Sequence, residues 1–382
     1  VPINTLTHGV YHEQTTQRFG DQLMIRKNLS EELVNMDISC GVVPEPGTAY
    51  QVAPGVMWVR MPMPLPLDHV NIWAVKESVG WTIVDSGLST EATEMSWRAL
   101  FAAEGALQGG PARVIATHMH QDHVGMAGWL ARKFRCVLWM TGLEYLRSRV
   151  HEADDASSLS SDEATFYRRA GWDEEVIKEY RARYGYFGRY LSKLPRSYRR
   201  VRDGEHVRIG LHDWRVITGA GHSPEHACLY CAELKVFISG DQVLPRISSN
   251  VSVSPIEPDA NPLDEWLLSL RRMAVEVPDD VLVLPSHQEP FRGLHARLES
   301  LTREVDASIV RLKSALKERK RAVDVFADLF SREITGGDLH HLRLATGESL
   351  AHLNYLWHRG EVSREIDRNG VAWYQNLPSQ VQ

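Results

Sequence analysis

A mixed α+β fold follows from three observations along the chain. Short apolar runs rich in Val, Ile and Trp recur between turn residues, the pattern of sheet strands. They are "HVNIWAV" (69–75), "GWTIVDSG" (80–87), "ARVIATH" (112–118) and "CVLWMT" (136–141). Stretches of helical periodicity interrupt and follow them. A second set of strand-like runs then closes the main part of the chain, so strands and helices are mixed throughout.

Residues 1–50 read as a polar arm with one helix around "LSEELVNM" and a loop through "GVVPEPGTAY". Strands begin beyond 51. From 142 to 200 the pattern breaks into inserted helices: "SSDEATFYRRAGW" offers Ser160 or Ser161 as an N-cap, and "EEVIKEYRARYGYFGRYLSKLPRSYRR" continues as helix. Strand signals return in "HVRI", "WRVITGAGH", "ACLYCAELKVFISGD" and "DDVLVLPSH" (279–287). Apolar residues at 298, 301, 305, 309, 312 and 316 then predict a long amphipathic helix. The last segment predicts a helix from Thr346 to Gly360 and a hairpin around "DRNG". The organisation expected is an arm (1–50), a main domain (51–300, with the 142–200 insertion as a lid) and a C-terminal module (301–382).

Composition excludes several classes. A formal net charge of −6, with 24% charged and 43% hydrophobic residues, describes an ordinary globular chain without a global basic signature for nucleic acid. The four cysteines are irregularly spaced, which argues against a disulfide framework and for a reducing compartment. "CLYC" is a CxxC in spelling only, because within a strand its two thiols point to opposite faces. The first residues carry no apolar signal core, and no apolar run approaches the roughly 20 residues of a membrane span. The expectation is a cytoplasmic protein with no membrane partner.

The chemistry is concentrated in "ATHMHQDHVGMAG" (116–128), where His118, His120, Asp122 and His123 end an apolar strand. His118 and His120 alternate by two, so they emerge on one side, while Asp122 and His123 follow the turn. One short segment can therefore offer two pairs of ligands. Imidazole and carboxylate at this density suit zinc, iron or manganese, and the lack of thiolates argues against a closed structural zinc site. Downstream, "TGAGHSPEH" places His222, "FISGDQ" places Asp241 and "VLPSHQEP" places His287, each at the end of an apolar run. Such ends gather at one edge of a sheet.

These motifs resemble, in order, those of the metallo-β-lactamase-fold hydrolases of glyoxalase II type. "THMHQDH" is similar to the family's HxHxDH motif, "GHSPEH" to its second histidine motif, "SGD" to its bridging aspartate and "LPSH" to its last histidine; "TIVDSG" matches the first aspartate motif through Asp85. The resemblance implies a four-layer αβ/βα sandwich with two metal ions at one edge. It implies one ion on His118, His120 and His222, the other on Asp122, His123 and His287, and Asp241 as the bridge. Asp85 would hold the ligand loop, and His226 would be structural. Zinc is the first expectation, with iron or manganese accepted by the same ligands.

Two such ions lower the pKa of a shared water and polarise the scissile group, so no Ser or Cys nucleophile is required. A bridging hydroxide attacking a thioester, ester or lactone carbonyl is the reading favoured, with Asp122 as general acid/base. A phosphodiesterase or endoribonuclease is the alternative. A β-lactamase ranks lower because Asp241 stands where most of those enzymes carry cysteine, and a non-catalytic winged-helix regulator is lowest. Tyr184, Tyr186, Phe187, Arg189 and Tyr190 are candidate lid residues over an anionic or nucleotide-bearing substrate. The C-terminal segment resembles the winged-helix module of some endoribonucleases and acyl-CoA thioesterases of this fold. Its apolar third helix makes packing or homodimerisation the expectation, with nucleic-acid binding possible but not favoured.

Overall fold

The computed structural model describes residues 42–378, apart from 65–66, 154–159, 183–189, 331–332 and 335–337. The first sheet contains β1 (Tyr50–Ala53), β2 (Val56–Pro62), β3 (His69–Lys76), β4 (Trp81–Val84), β5 (Pro111–Ile115), β6 (Val137–Met140) and β7 (Arg199–Arg200), in that spatial order. Its first four strands are antiparallel neighbours and its last four run parallel. The second sheet contains β8 (His206–Ile209), β9 (His212–Gly219), β10 (His226–Cys231), β11 (Val236–Gly240) and β12 (Leu282–Pro285), ordered β12-β11-β10-β9-β8. Within it β11 and β12 are parallel and the other pairs antiparallel.

The helices are α1 (Glu91–Leu100), α2 (Gln121–Val124), α3 (Ala127–Phe134), α4 (Gly142–Ala153), α5 (Ser161–Ala170), α6 (Glu174–Ala182), α7 (Pro262–Glu276), α8 (Leu294–Ala315), α9 (Phe326–Leu329) and α10 (Leu339–His358). A hairpin of β13 (Val362–Ile366) and β14 (Ala372–Asn376) follows, turning through Gly370 at φ 82°. Among the described residues, no helix is long and apolar enough to cross a membrane.

Strand alternation decides the layering. Trp58 faces Trp73 across β2 and β3, and together with Val84 and Ile115 they meet Trp214, Val216, Leu229 and Ile238 between the sheets. The opposite faces carry Val59, Ile72, Ile83 and Val114, which bury Trp97 of α1 and Leu130 of α3. On the far side Ile217, Cys228, Phe237 and Val283 bury Trp266 of α7 and Leu298 and Leu301 of α8. The result is helix, sheet, sheet, helix. Trp58, Trp73 and Trp214 are fully buried, and burial of such a side chain contributes roughly 3 kcal/mol each. Cys228 lies in the outer core and Cys231 in the inter-sheet core, so the two thiols do point apart.

Several sequence expectations shift. Ser160 caps α5 through a capping box with Glu163, as its spacing predicts. Of the helix expected to continue through 200, the described part is Glu174–Ala182, and 191–198 is non-helical. There the backbone bonds sideways: Ser192 N–H donates to the Gly125 carbonyl and Ser89 N–H to the Tyr190 carbonyl. Gly128 makes this approach possible, since a Cβ there would lie 2.0 Å from the Lys193 carbonyl oxygen. The last helix starts at Leu339, capped by Asp338, rather than at Thr346. Thr346 is buried inside it, its hydroxyl bonded back to the Leu342 carbonyl and accepting from Trp172 Nε1. A hydroxyl with those partners has no cap to make. The expected helix around "LSEELVNM" and most of the 1–50 arm lie outside the described residues.

Candidate metal centre

The ligand side chains gather where strands of both sheets end. β5 leads to His118 and His120, α2 carries Asp122 and His123, β9 leads to His222, β11 to Asp241 and β12 to His287. Ligand atoms of His118, His120, His222 and Asp241 lie within 4.8 Å of one another, as do those of Asp122, His123 and His287. The seven residues thus gather into two adjoining groups. His118 Nε2 is 3.2 Å from His222 Nε2, and His120 Nδ1 is 2.8 and 3.0 Å from the two.

The nitrogens that face away from the centre decide its protonation. His222 Nδ1–H donates to the Asn250 carbonyl at 2.8 Å, an acceptor only. His118 Nδ1–H donates to the Thr117 hydroxyl, whose own proton goes to Asp85 Oδ2. His123 Nδ1 is 2.8 Å from Asp85 Oδ2, and His287 Nδ1–H donates to the His69 carbonyl at 3.1 Å. With the outer nitrogens so engaged, Nε2 of each ring is the atom turned toward the centre. Two lone pairs 3.2 Å apart repel unless a cation sits between or beside them. His123 Nε2 and Asp241 Oδ1 are buried with no hydrogen-bond partner among the described residues. Buried polar atoms without partners are costly, and coordination would satisfy both. The donor set fits divalent metal.

Electrostatics divides the two clusters. Burial, reinforced by neighbouring imidazoles, holds His118 and His120 well below the usual histidine range. In the other cluster burial also opposes charge, but the Asp241 and Asp122 carboxylates outweigh it and push His287 up to about 10. His123 is likewise raised, by Asp122, Asp241 and Asp85 against burial. Asp122 and Asp241 stay ionised far below the usual carboxylate range, because the charges of His123 and His287 overcome their own burial.

Asp85 accepts from Thr117 N–H at 2.7 Å and Thr117 Oγ1 at 3.0 Å, besides His123, from a backbone at φ 67°. These bonds tie it to the segment that carries His118 and His123. His226 is buried under the centre; its Nε2 accepts from Asp241 N–H at 3.1 Å and its ring stacks on His118. Gly240, at φ 56°, must lack a Cβ, which would lie 2.4 Å from that ring. Sequence reasoning missed Glu144 of α4. Its fully buried carboxylate accepts from Met119 N–H at 2.9 Å and Glu225 N–H at 2.8 Å, tying together the two loops that carry His118, His120 and His222. An acidic residue one turn into a predicted insertion gave no such signal.

Of the proposed lid, Tyr184, Tyr186, Phe187 and Arg189 lie outside the described residues. Tyr190 is half-buried against the outer core of the first sheet. The aromatic residues here turn toward α10: Tyr167 of α5, Trp172 in the turn after it and Tyr180 of α6 share a core with Leu342 and Leu350.

Comparison with known proteins agrees with this geometry. The family model of the metallo-beta-lactamase superfamily matches residues 65–287. The chain belongs to the metallo-beta-lactamase superfamily. A second model, the metallo-beta-lactamase-like C-terminal domain, matches residues 309–377. A crystal structure of a beta-lactamase domain protein from Burkholderia ambifaria shares 38% identity with this superfamily member and a TM-score of 0.80, covering 91% of this chain and 99% of that one. A metallo-beta-lactamase family protein from Thermus thermophilus has 25% identity and a TM-score of 0.69, over 86% and 100% of the two chains. Among curated relatives, the acyl-coenzyme A thioesterase MBLAC2 of Gallus gallus is 28% identical over 246 residues, 62% of this chain and 79% of the relative. The probable metallo-hydrolase YqjP of Bacillus subtilis is 23% identical over 257 residues, 64% and 75% of the two. The metallo-beta-lactamase fold with its His/Asp clusters makes this chain a metal-dependent hydrolase.

Proposed function

We propose that the chain is a dinuclear hydrolase of thioesters, with esters and lactones as related carbonyl substrates, using zinc in preference to iron or manganese. The observation that carries the dinuclear reading is the reach of Asp241. Its Oδ2 lies 3.4 Å from His222 Nε2 and 3.5 Å from His123 Nε2, and its Oδ1 lies 3.4 Å from His287 Nε2, so one carboxylate borders both clusters. When bound, a pair of divalent cations supplies an acidified water and an electrophilic contact for the substrate carbonyl. His118, His120 and His222 would hold one, and Asp122, His123 and His287 the other.

The chain's own residues do the remaining work. Asp122 keeps 21% of its side chain open, whereas His123, Asp241 and His287 are at 9% or less. Its Oδ2 is set 3.4 Å from His123 Nε2 and 3.5 Å from His287 Nε2. This openness and reach support Asp122 as the carboxylate that takes a proton at the centre and returns it to the leaving thiolate. The thioester preference draws support from the acyl-coenzyme A thioesterase relative.

The test is a panel of acyl-CoA, acylglutathione, lactone, cephalosporin and RNA substrates with zinc-replete protein. Thioester cleavage at the highest kcat/KM is expected, with about two ions per chain by metal analysis. Asp122→Asn should lower kcat by on the order of 10²–10⁴-fold while zinc is largely retained. Cleavage of RNA alone would replace the carbonyl reading with a phosphodiesterase.

A further inference from the structure

The loop 249–253 touches two metal-site residues at once. Asn250 holds His222 through its carbonyl, as above, and the Ser249 hydroxyl donates to the Asp241 carbonyl. What holds this loop comes from α10. Asn250 Nδ2 donates to Glu348 Oε2 at 3.1 Å, and Val253 N–H donates to the Gly347 carbonyl at 3.0 Å. The Ser252 hydroxyl closes the loop on Asn250 Oδ1 at 2.6 Å, and Val251 and Val253 are buried in the core shared with α10. Gly347 sits against the loop so closely that a Cβ would lie 2.8 Å from Ser252 Cβ and 3.0 Å from the Val253 carbonyl oxygen.

A carboxyl 3% exposed in a buried stretch of helix is costly to keep unless it serves a defined partner. The partner here is the side chain whose backbone carbonyl orients a ligand. We propose that the C-terminal module is a working part of the metal centre: Glu348 and Gly347 of α10 clamp the 249–253 loop and so position His222 and Asp241. Glu348 is a positioning residue, acting through Asn250 without touching substrate or cation. The module's role in this reading is mechanical support of the site.

The proposal rests on His222 and Asp241 being cation ligands. The two claims fail separately when Co²⁺ is titrated into the full chain with chelator competition, following the visible d–d spectrum. Wild-type protein that binds no Co²⁺ would overturn the metal-centre reading itself. With binding established, Glu348→Ala should weaken the cation at His118, His120 and His222 about 10–100-fold and alter its spectrum. Glu348→Gln, which still accepts from Asn250, should restore affinity and spectrum. Gly347→Ala should weaken Co²⁺ in the same way although alanine favours a helix, because its methyl displaces the loop. Leu353→Ala, in the same helix and fully buried, should lower the melting temperature and leave Co²⁺ affinity and spectrum in place. Unchanged Co²⁺ binding in Gly347→Ala and Glu348→Ala, or equal weakening by Leu353→Ala, would overturn the clamp.

Discussion

Asp85 is the side chain on which the two halves of the centre converge. It bonds Thr117, which orients His118, and it bonds His123 directly. A non-glycine residue at φ 67° is uncommon, and such positions cluster at functional sites where surrounding bonds enforce them. The histidines below it carry a pH prediction. His118 and His120, held below the ordinary range by burial, are neutral at pH 7 and release no proton when a cation binds. His287, raised to about 10 by Asp241 and Asp122 against burial, is protonated at pH 7 and must release its proton. Affinity at the Asp122, His123 and His287 cluster should therefore rise with pH up to about 10, steeply, while the other cluster stays flat. Calorimetry in buffers of different ionisation enthalpy should find a proton-releasing and a nearly proton-neutral binding step. Equal proton release in both steps would refute this division.

At the scale of elements, the strands were legible and the helices less so. Runs of Val, Ile and Trp at 69–75, 112–118 and 136–141 placed the strands, because Ile72, Val114 and Leu138 pack in the outer core while Trp73, Ile115 and Trp139 face the inter-sheet core. The ligand positions were legible for the same reason: each follows a strand end. The 190–198 stretch was not, since its aromatic and basic spacing fits a helix while Tyr190 and Ser192 make backbone bonds with Ser89 and Gly125, far away in sequence. Glu144 escaped notice because its partners are main-chain N–H groups, which no motif records. Glu144→Gln keeps the size but leaves one acceptor oxygen for two N–H groups. It should weaken the cation at His118, His120 and His222 about tenfold, measured by chelator competition. Leu146→Ala, 59% exposed on the same helix, should not.

For the whole molecule, the insertion and the C-terminal module form one body of packing. Trp172 donates to Thr346, and Tyr167, Leu270, Leu301 and Leu353 lie in a common core. α10 is buried along nearly all of its length, from Leu339 to Leu356, which leaves its apolar residues inside the protein. Glu348 within it carries a stability prediction. Burial pushes its carboxyl up to about 8, so the folded chain keeps a proton that the unfolded chain loses above about 4.5. Stability from this group falls as pH rises through that window and levels off above about 8, a loss of up to roughly 5 kcal/mol. Glu348→Gln should remove that slope. Urea denaturation of both proteins at about pH 5 and about pH 8.5 measures it, and parallel slopes would refute the assignment.

By itself the sequence determined the mixed strands and helices and the seven ligand-type residues that follow strand ends, since strand alternation and ligand spacing are local; the four layers and the two-ion centre entered through the resemblance those motifs carry. The tertiary structure alone decided which ring nitrogens face the centre, that Glu144 joins two ligand loops, and that α10 reaches His222 through Asn250. Those facts depend on contacts across about 80 to 100 residues of chain, such as Glu144 with Glu225 and Asn250 with Glu348. A hydrogen bond to a backbone group leaves no trace in residue spacing, and so its partner is visible only once the chain has folded.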